Sequence, residues 1–279
     1  MQAEQLRERL RFITQQDYQA TREEIQELVP VMLKFIGVPD SELRDKLIYS
    51  TLASWIYRGS FSSDELQELL QRALDDEHLF YNLGEENTDS VFTRAFSVLL
   101  LPPILWSHRQ QPFLNSETLK NTLEKVTLYF YAEKDLRGYV REKGWAYAVA
   151  HTADALDELA LCSETTKEML TEMLTLITGV ASTEKSVYTH GEDERLSFAV
   201  ISIFKRNELT TEEKVGWLET FTSEVQKALP MPDPEGYRKF INVKHFLRTL
   251  YFSILQSDLA GKEVLQGKLQ TLLKQFSEL

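Results

Sequence analysis

Apolar residues recur along most of the chain at three- and four-residue spacing, as in Ile25, Leu28, Val29, Met32, Leu33 and Ile36, whereas strict alternation never lasts long enough to define a strand. The pattern predicts helices over 21–36 and 41–58, 63–75 and 89–106, 116–131 and 144–160, 164–178 and 191–206, 211–228 and 236–255, with a closing helix over 262–278. Ser62 with Glu65, and Thr210 with Glu213, have the spacing of a capping box, in which each side chain satisfies the other residue's free backbone N–H. Turn signals stand at "GVPD" (37–40), "LGEENTD" (83–89), "LPP" (101–103) and "LPMPDPEG" (229–236). Successive helix pairs begin about 42 to 52 residues apart, near the roughly 40–47-residue period of HEAT and armadillo repeats. The expected fold is all-α: a HEAT-like α-solenoid of roughly five helix pairs plus a C-terminal helix, one domain over residues 1–279 without an internal boundary.

Composition agrees with that picture and narrows the setting. A chain of 279 residues with 43% hydrophobic and 27% charged residues can bury a core without disulfides or structural metal, and 11 Gly with 8 Pro leave little material for long loops. The excess of Asp and Glu over Lys and Arg gives a net charge of −12, and no basic cluster offsets it, so nucleic acid and anionic membranes are not expected partners. Cys162 is the single cysteine, which forbids an intramolecular disulfide. Since "MQAEQLRERL" lacks the apolar core of a signal peptide, a cytoplasmic location is expected. The greasiest run, "AFSVLLLPPILW", is interrupted by Pro102 and Pro103 and falls short of the roughly 20 residues that span a bilayer.

Candidate chemistry concentrates in three places. In "GWAYAVAHTADALDELA" (144–160), read as one helix, Tyr147, His151, Asp154 and Glu158 share an edge, while flanking alanines allow neighbouring helices to approach closely. Histidine and carboxylate one turn apart suit an acid–base pair or two metal ligands; a hydrogen-bonded structural histidine gives the same pattern, and two ligands do not make a zinc site. In "THGEDERLSFAV" (189–200), Glu192, Asp193 and Glu194 occupy the first turn of a helix, where carboxylates complement the macrodipole, with His190 and Arg195 beside them. Arg94 and Arg248 lie in strongly apolar helices, where each requires an acidic partner; Asp135, Glu142, Asp154 and Asp193 are the candidates. The mixed charge run "EKDLRGYVREKG" (133–144) reads as a solvated turn, with Asp135 and Arg137 before Gly138 placed to hold it by side-chain bonds. No phosphate-binding loop, dinucleotide fingerprint, Cys-x-x-Cys, His-Glu-x-x-His or Gly-x-Ser-x-Gly is present, so neither a cofactor nor a metal is expected.

Taken in order, "LRDKLIY", "VFTRAFSVL", "EKDLRGYVREKGWAYAVAHTADALDELA", "GEDERL" and "NVKHFLRTLYFSIL" resemble a bacterial family known as domain of unknown function 2785, over about residues 20–255. The resemblance implies a cytosolic protein with a HEAT-like helical fold and brings no established activity. It places Arg94, Asp135, Arg137, Gly138, Trp145, His151, Asp154, Glu192, Asp193 and Arg195 on signature positions, without roles. The family pattern resembles "GWAHAVAHGADAL", so this chain departs from it at Tyr147, where histidine is usual, and at Thr152, where glycine is usual. A metal held by two histidines one turn apart would lose a ligand at Tyr147.

These observations leave three readings. The first is a binding protein whose polar groove around His151 takes an unidentified protein or small polar ligand, lined by Arg94, Asp135, Arg137, Tyr147, Asp154, Glu192, Asp193 and Arg195. The second is an enzyme of hydrolase type with His151 as general base oriented by Asp154. In the third, the signature is a purely structural bonding network.

Overall fold

The computed structural model describes residues 1–227 and 233–277. Among the described residues the regular structure is helical apart from one hairpin of two-residue strands. It divides into two compact units, Met1–Ala155 and Leu156–Leu279. The sequence shows no boundary there because the division falls inside one alanine-rich helix.

The first unit opens with helix α1 (Ala3–Gln15), which the sequence reading did not include. Its only buried positions, Leu6, Leu10 and Ile13, make a narrow apolar stripe among charges. Thr21 and Glu24 cap α2 (Arg22–Lys34) reciprocally, and Pro30 sits on its exposed side. After the turn at 37–40 the chain winds as a π-helix over Glu42–Tyr49, burying Leu43, Arg44, Leu47 and Ile48, and continues as α3 (Ser50–Tyr57). Gly37 is required at that turn, since a β-carbon there would stand 1.9 Å from Thr93 Oγ1.

The capping box at Ser62 starts α4 (Ser63–Ala73) as its spacing predicts. Arg22 binds Glu65 of that box and is the largest cause, against the opposing effect of burial, of a carboxyl pKa pulled down to about 2. A group whose folded pKa lies below its unfolded value contributes stability above the unfolded pKa and loses it as pH falls through the folded one. Wild type is therefore expected to melt above Glu65→Gln at about pH 6, with the gap closing between about pH 4.5 and 2; melting curves across that range check this.

The helix predicted over 89–106 is two helices, α5 (Ser90–Val98) and α6 (Leu101–Gln110). Pro102 and Pro103 stand in the first turn of α6, where a missing N–H costs nothing, so they start a helix instead of ending one. The stretch Ser90–Gln110 is consequently 21 residues long and apolar enough to cross a membrane by length and composition, longer than the run seen in sequence. Its most apolar window is 78% buried within the fold, the position of a core element. Asn115 caps α7 (Ser116–Ala132).

Strands β1 (Tyr139–Val140) and β2 (Gly144–Trp145) then pair antiparallel, Tyr139 opposite Trp145, and α8 runs over Ala148–Leu161. The helix predicted from 144 thus begins four residues later. Tyr147, with φ +60°, lies in the left-handed region and stops the helical winding before it.

In the second unit Thr166 caps α9 (Lys167–Ala181), followed by α10 (Glu192–Lys205), α11 (Thr211–Lys227) with the expected Thr210–Glu213 box, α12 (Pro234–Gln256) and α13 (Lys262–Gln275). The end of the helix expected over 211–228, the turn signal at 229–232 and the end of the last predicted helix at 278 lie outside the described residues. Phe204, Trp217, Phe221 and Phe246 meet edge-on or tilted at the centre of this unit.

Candidate functional site

The first unit holds six of the nine candidate residues: Arg94, Asp135, Arg137, Tyr147, His151 and Asp154. Arg94, on α5, is fully buried and needs a buried counter-charge. Its partner is none of the four carboxylates expected from sequence but Glu133, which ends α7. Nε and Nη2 grip the two carboxylate oxygens side-on at 2.6 and 2.9 Å. Nη1 donates to Ser90 Oγ and to the carbonyls of Tyr81 and Asn82, so the same guanidinium gathers the loop after α4. Burial first, and the Glu133 charge next, push the neighbouring Tyr129 phenol well above its ordinary pKa.

The charge run 133–144 is solvated only in part, at Lys134, Arg141 and Glu142. Glu133 and Asp135 are buried, and the turn is held by Arg137, whose Nε and Nη2 donate to Asp135 at 2.7 and 2.6 Å. Asp135 also accepts the Asn87 amide N–H at 2.9 Å, Arg137 Nη2 reaches the Thr88 carbonyl, and Lys143 pairs with Asp89. The segment 133–143 is therefore stitched to the loop 81–89 along its length.

Arg44 completes this frame, and the sequence reading missed it. Fully buried, it stacks on Phe92 and Phe96, with the guanidinium carbon 4.0 and 4.9 Å from the ring centroids. It donates to the carbonyls of Val38 and Pro39 on one side and to those of Lys143 and Trp145 in the hairpin on the other. Desolvation pushes its pKa down to about 10. The available signal was the apolar spacing of Leu43, Leu47 and Ile48, which places residue 44 on the buried side of its helix.

His151 is buried on α8. Its Nδ1 lies 3.0 Å from the Ala95 carbonyl, which can only accept, so Nδ1 carries the proton of that bond. The ring meets Phe96 and Tyr147 edge-on. Tyr147 in turn stacks flat on Trp145, with centroids 4.3 Å apart, and Trp145 meets Tyr139 at 5.0 Å. A ladder of rings thus climbs from the buried Phe96 to Tyr139, which is 53% exposed. Tyr147 precedes the helix, so Tyr147, His151, Asp154 and Glu158 do not form one helical edge. Asp154 follows His151 by one turn and is half-buried.

Glu192, Asp193 and Arg195 belong to the second unit, in the first turn of α10. Glu192 is buried and accepts the His190 amide at 2.8 Å; Asp193 accepts the Thr249 hydroxyl at 2.5 Å; Arg195 is exposed. The placement of Glu192 and Asp193 is that of carboxylates complementing a helix N-terminus. Arg248, expected to be buried with an acid, is instead exposed on α12 and makes no ion pair among the described residues. Also among the described residues, no group of three His, Cys, Asp or Glu side chains is arranged to hold a metal ion.

Residues 79–252, more than half of the chain, match the model of a family described as "Protein of unknown function (DUF2785)". No curated protein and no solved structure matches the chain.

Proposed function

The chain belongs to that family of unknown function, and from the geometry of its first unit we propose that it is a non-enzymatic binding protein that displays the 139–147 hairpin to a protein partner. One contrast carries this reading: Arg94, Glu133, Asp135 and Arg137 are bound to one another or to backbone, while the ring ladder they support ends in an exposed tyrosine. Rigid aromatic residues on a fixed scaffold bind with little loss of conformational entropy. Neither cofactor nor metal enters this proposal, and the cytoplasmic setting belongs to it on the strength of the lone cysteine. For the second unit we propose HEAT-like stacking. Its support is that α10 lies along α12 and α11 along α13, the every-other-helix adjacency that repeated pairs produce.

A photo-crosslinking phenylalanine derivative in place of Tyr139, in the full-length protein in its native cell, is expected to capture one discrete partner. Capture should fall when Tyr147→Gly removes the ring beneath Trp145. A pattern no different from that of the same probe at the exposed Gln110 would sink the proposal. The hydrolase reading keeps one specific support, the one-turn spacing of His151 and Asp154. A His151→Phe protein that melts like wild type yet loses a hydrolytic activity of the wild type would favour it.

A further inference from the structure

Helices α10 and α12 are pinned together by two side-chain bonds, Thr249 Oγ1 to Asp193 Oδ2 at 2.5 Å and Ser197 Oγ to Ser253 Oγ at 2.8 Å. Both pairs have the same sequence offset, so the two helices run parallel. In parallel right-handed helices, residues one step after the contact positions of the first and one step before those of the second emerge on the same side. Those residues are Glu194 and Phe198 on α10 and Arg248 and Phe252 on α12, with Leu255 one turn further on. Phe198, Phe252 and Leu255 are 50%, 58% and 47% exposed, so the second unit presents an apolar face with an arginine in it.

That arginine makes no hydrogen bond or ion pair among the described residues. Glu194, on the same edge of α10, folds its carboxylate back toward its own helix N-terminus, with Oε2 3.8 Å from where a β-carbon on Gly191 would stand. Covering the exposed half of each phenylalanine would be favourable, a gain the isolated chain forgoes. Aromatic side chains around an unpaired arginine are the composition of an interface centre, not of a solvated helix face.

We infer that this face docks an acidic amphipathic helix of a partner protein, whose apolar side covers Phe198, Phe252 and Leu255 and whose carboxylate pairs with Arg248. Charge decides the occupant. A basic segment would desolvate the guanidinium without a counter-charge, an expensive outcome. A second copy would set the face against itself, and the one carboxylate on that edge, Glu194, is turned back toward its own helix N-terminus instead of outward to a facing arginine. This surface is independent of the hairpin: Tyr139→Ala is expected to leave it unchanged.

The test uses the full-length protein and a labelled helical peptide of about 18 residues, five turns long, with leucine on one face and glutamate on the other. Matched peptides carry glutamine or lysine in place of glutamate. The acidic peptide is expected to bind at least about tenfold more tightly than the glutamine peptide, and Arg248→Glu to reverse the preference between acidic and basic peptides. Phe252→Ser should weaken binding by about tenfold or more. Because both side chains are exposed, the variants should melt like wild type. Equal binding of all three peptides, or an unchanged preference in Arg248→Glu, overturns the inference. So does a dimer in light scattering that Phe252→Ser converts to monomer, which would assign the face to a second copy. Co-sedimentation with phosphatidylglycerol vesicles but not with the peptide would assign it to a lipid surface and likewise overturn it.

Discussion

Arg94→Met is expected to destabilise the first unit by about 3–5 kcal/mol, the usual consequence of stranding one half of a buried ion pair. The Glu133 carboxylate would remain at the end of α7, wholly enclosed, its negative charge no longer met by the guanidinium although the Lys134 and Asp135 amides still donate to it. Glu133→Leu strands the guanidinium and should cost a similar amount. The double variant, which removes both charges, is expected to recover much of the loss. The three denaturation midpoints give the coupling directly, and strict additivity of the two single effects would show that the pair is not a unit. Arg94 also donates to three carbonyls in the loop 81–85, so amide exchange should accelerate there first.

That pair also shows which parts of the fold are legible in the sequence alone. Burial of a charge in an apolar helix was legible at Arg94, because local spacing fixes which face of α5 points inward. Its partner was not, because Glu133 belongs to a run whose mixed signs look solvated and whose burial depends on a loop some 40 to 50 residues upstream. The same local logic failed at Arg248. Helix α12 is apolar enough to suggest enclosure on all sides, yet one edge of it remains in water. Capping boxes at Ser62 and Thr210 were legible because both halves of each bond lie within one turn. The start of α8 was not: "AYAVAHTADAL" keeps its helical periodicity through Tyr147, and a single left-handed residue leaves no trace in a pattern of apolar spacing. The all-α class therefore followed from periodicity, whereas the hairpin and the ring ladder depend on contacts between distant segments.

Arg44 is where those distant contacts converge, and Arg44→Met is expected to cost about 2–4 kcal/mol, from lost bonds to buried carbonyls. Two opposing effects set that figure. Methionine fills much of the volume and removes a guanidinium that burial disfavours, as the pKa pushed down to about 10 indicates. Against this, the carbonyls of Val38, Pro39, Lys143 and Trp145 lose their donor, and Phe92 and Phe96 lose the cation on their faces. Arg44→Lys should fall between the two proteins, since one ammonium cannot span carbonyls on both sides as the planar fork does. The distribution of the loss is the sharper test. Ala146 and Tyr147 donate their amides to Gly138 and Arg137, closing the hairpin, and those two protons should exchange faster in Arg44→Met by more than the global destabilisation accounts for. In Arg94→Met the excess should appear instead in residues 81–89. If both variants loosen every amide equally, Arg44 is an ordinary core residue; if the hairpin loosens alone, Arg44 is what holds Tyr139 in position for a partner.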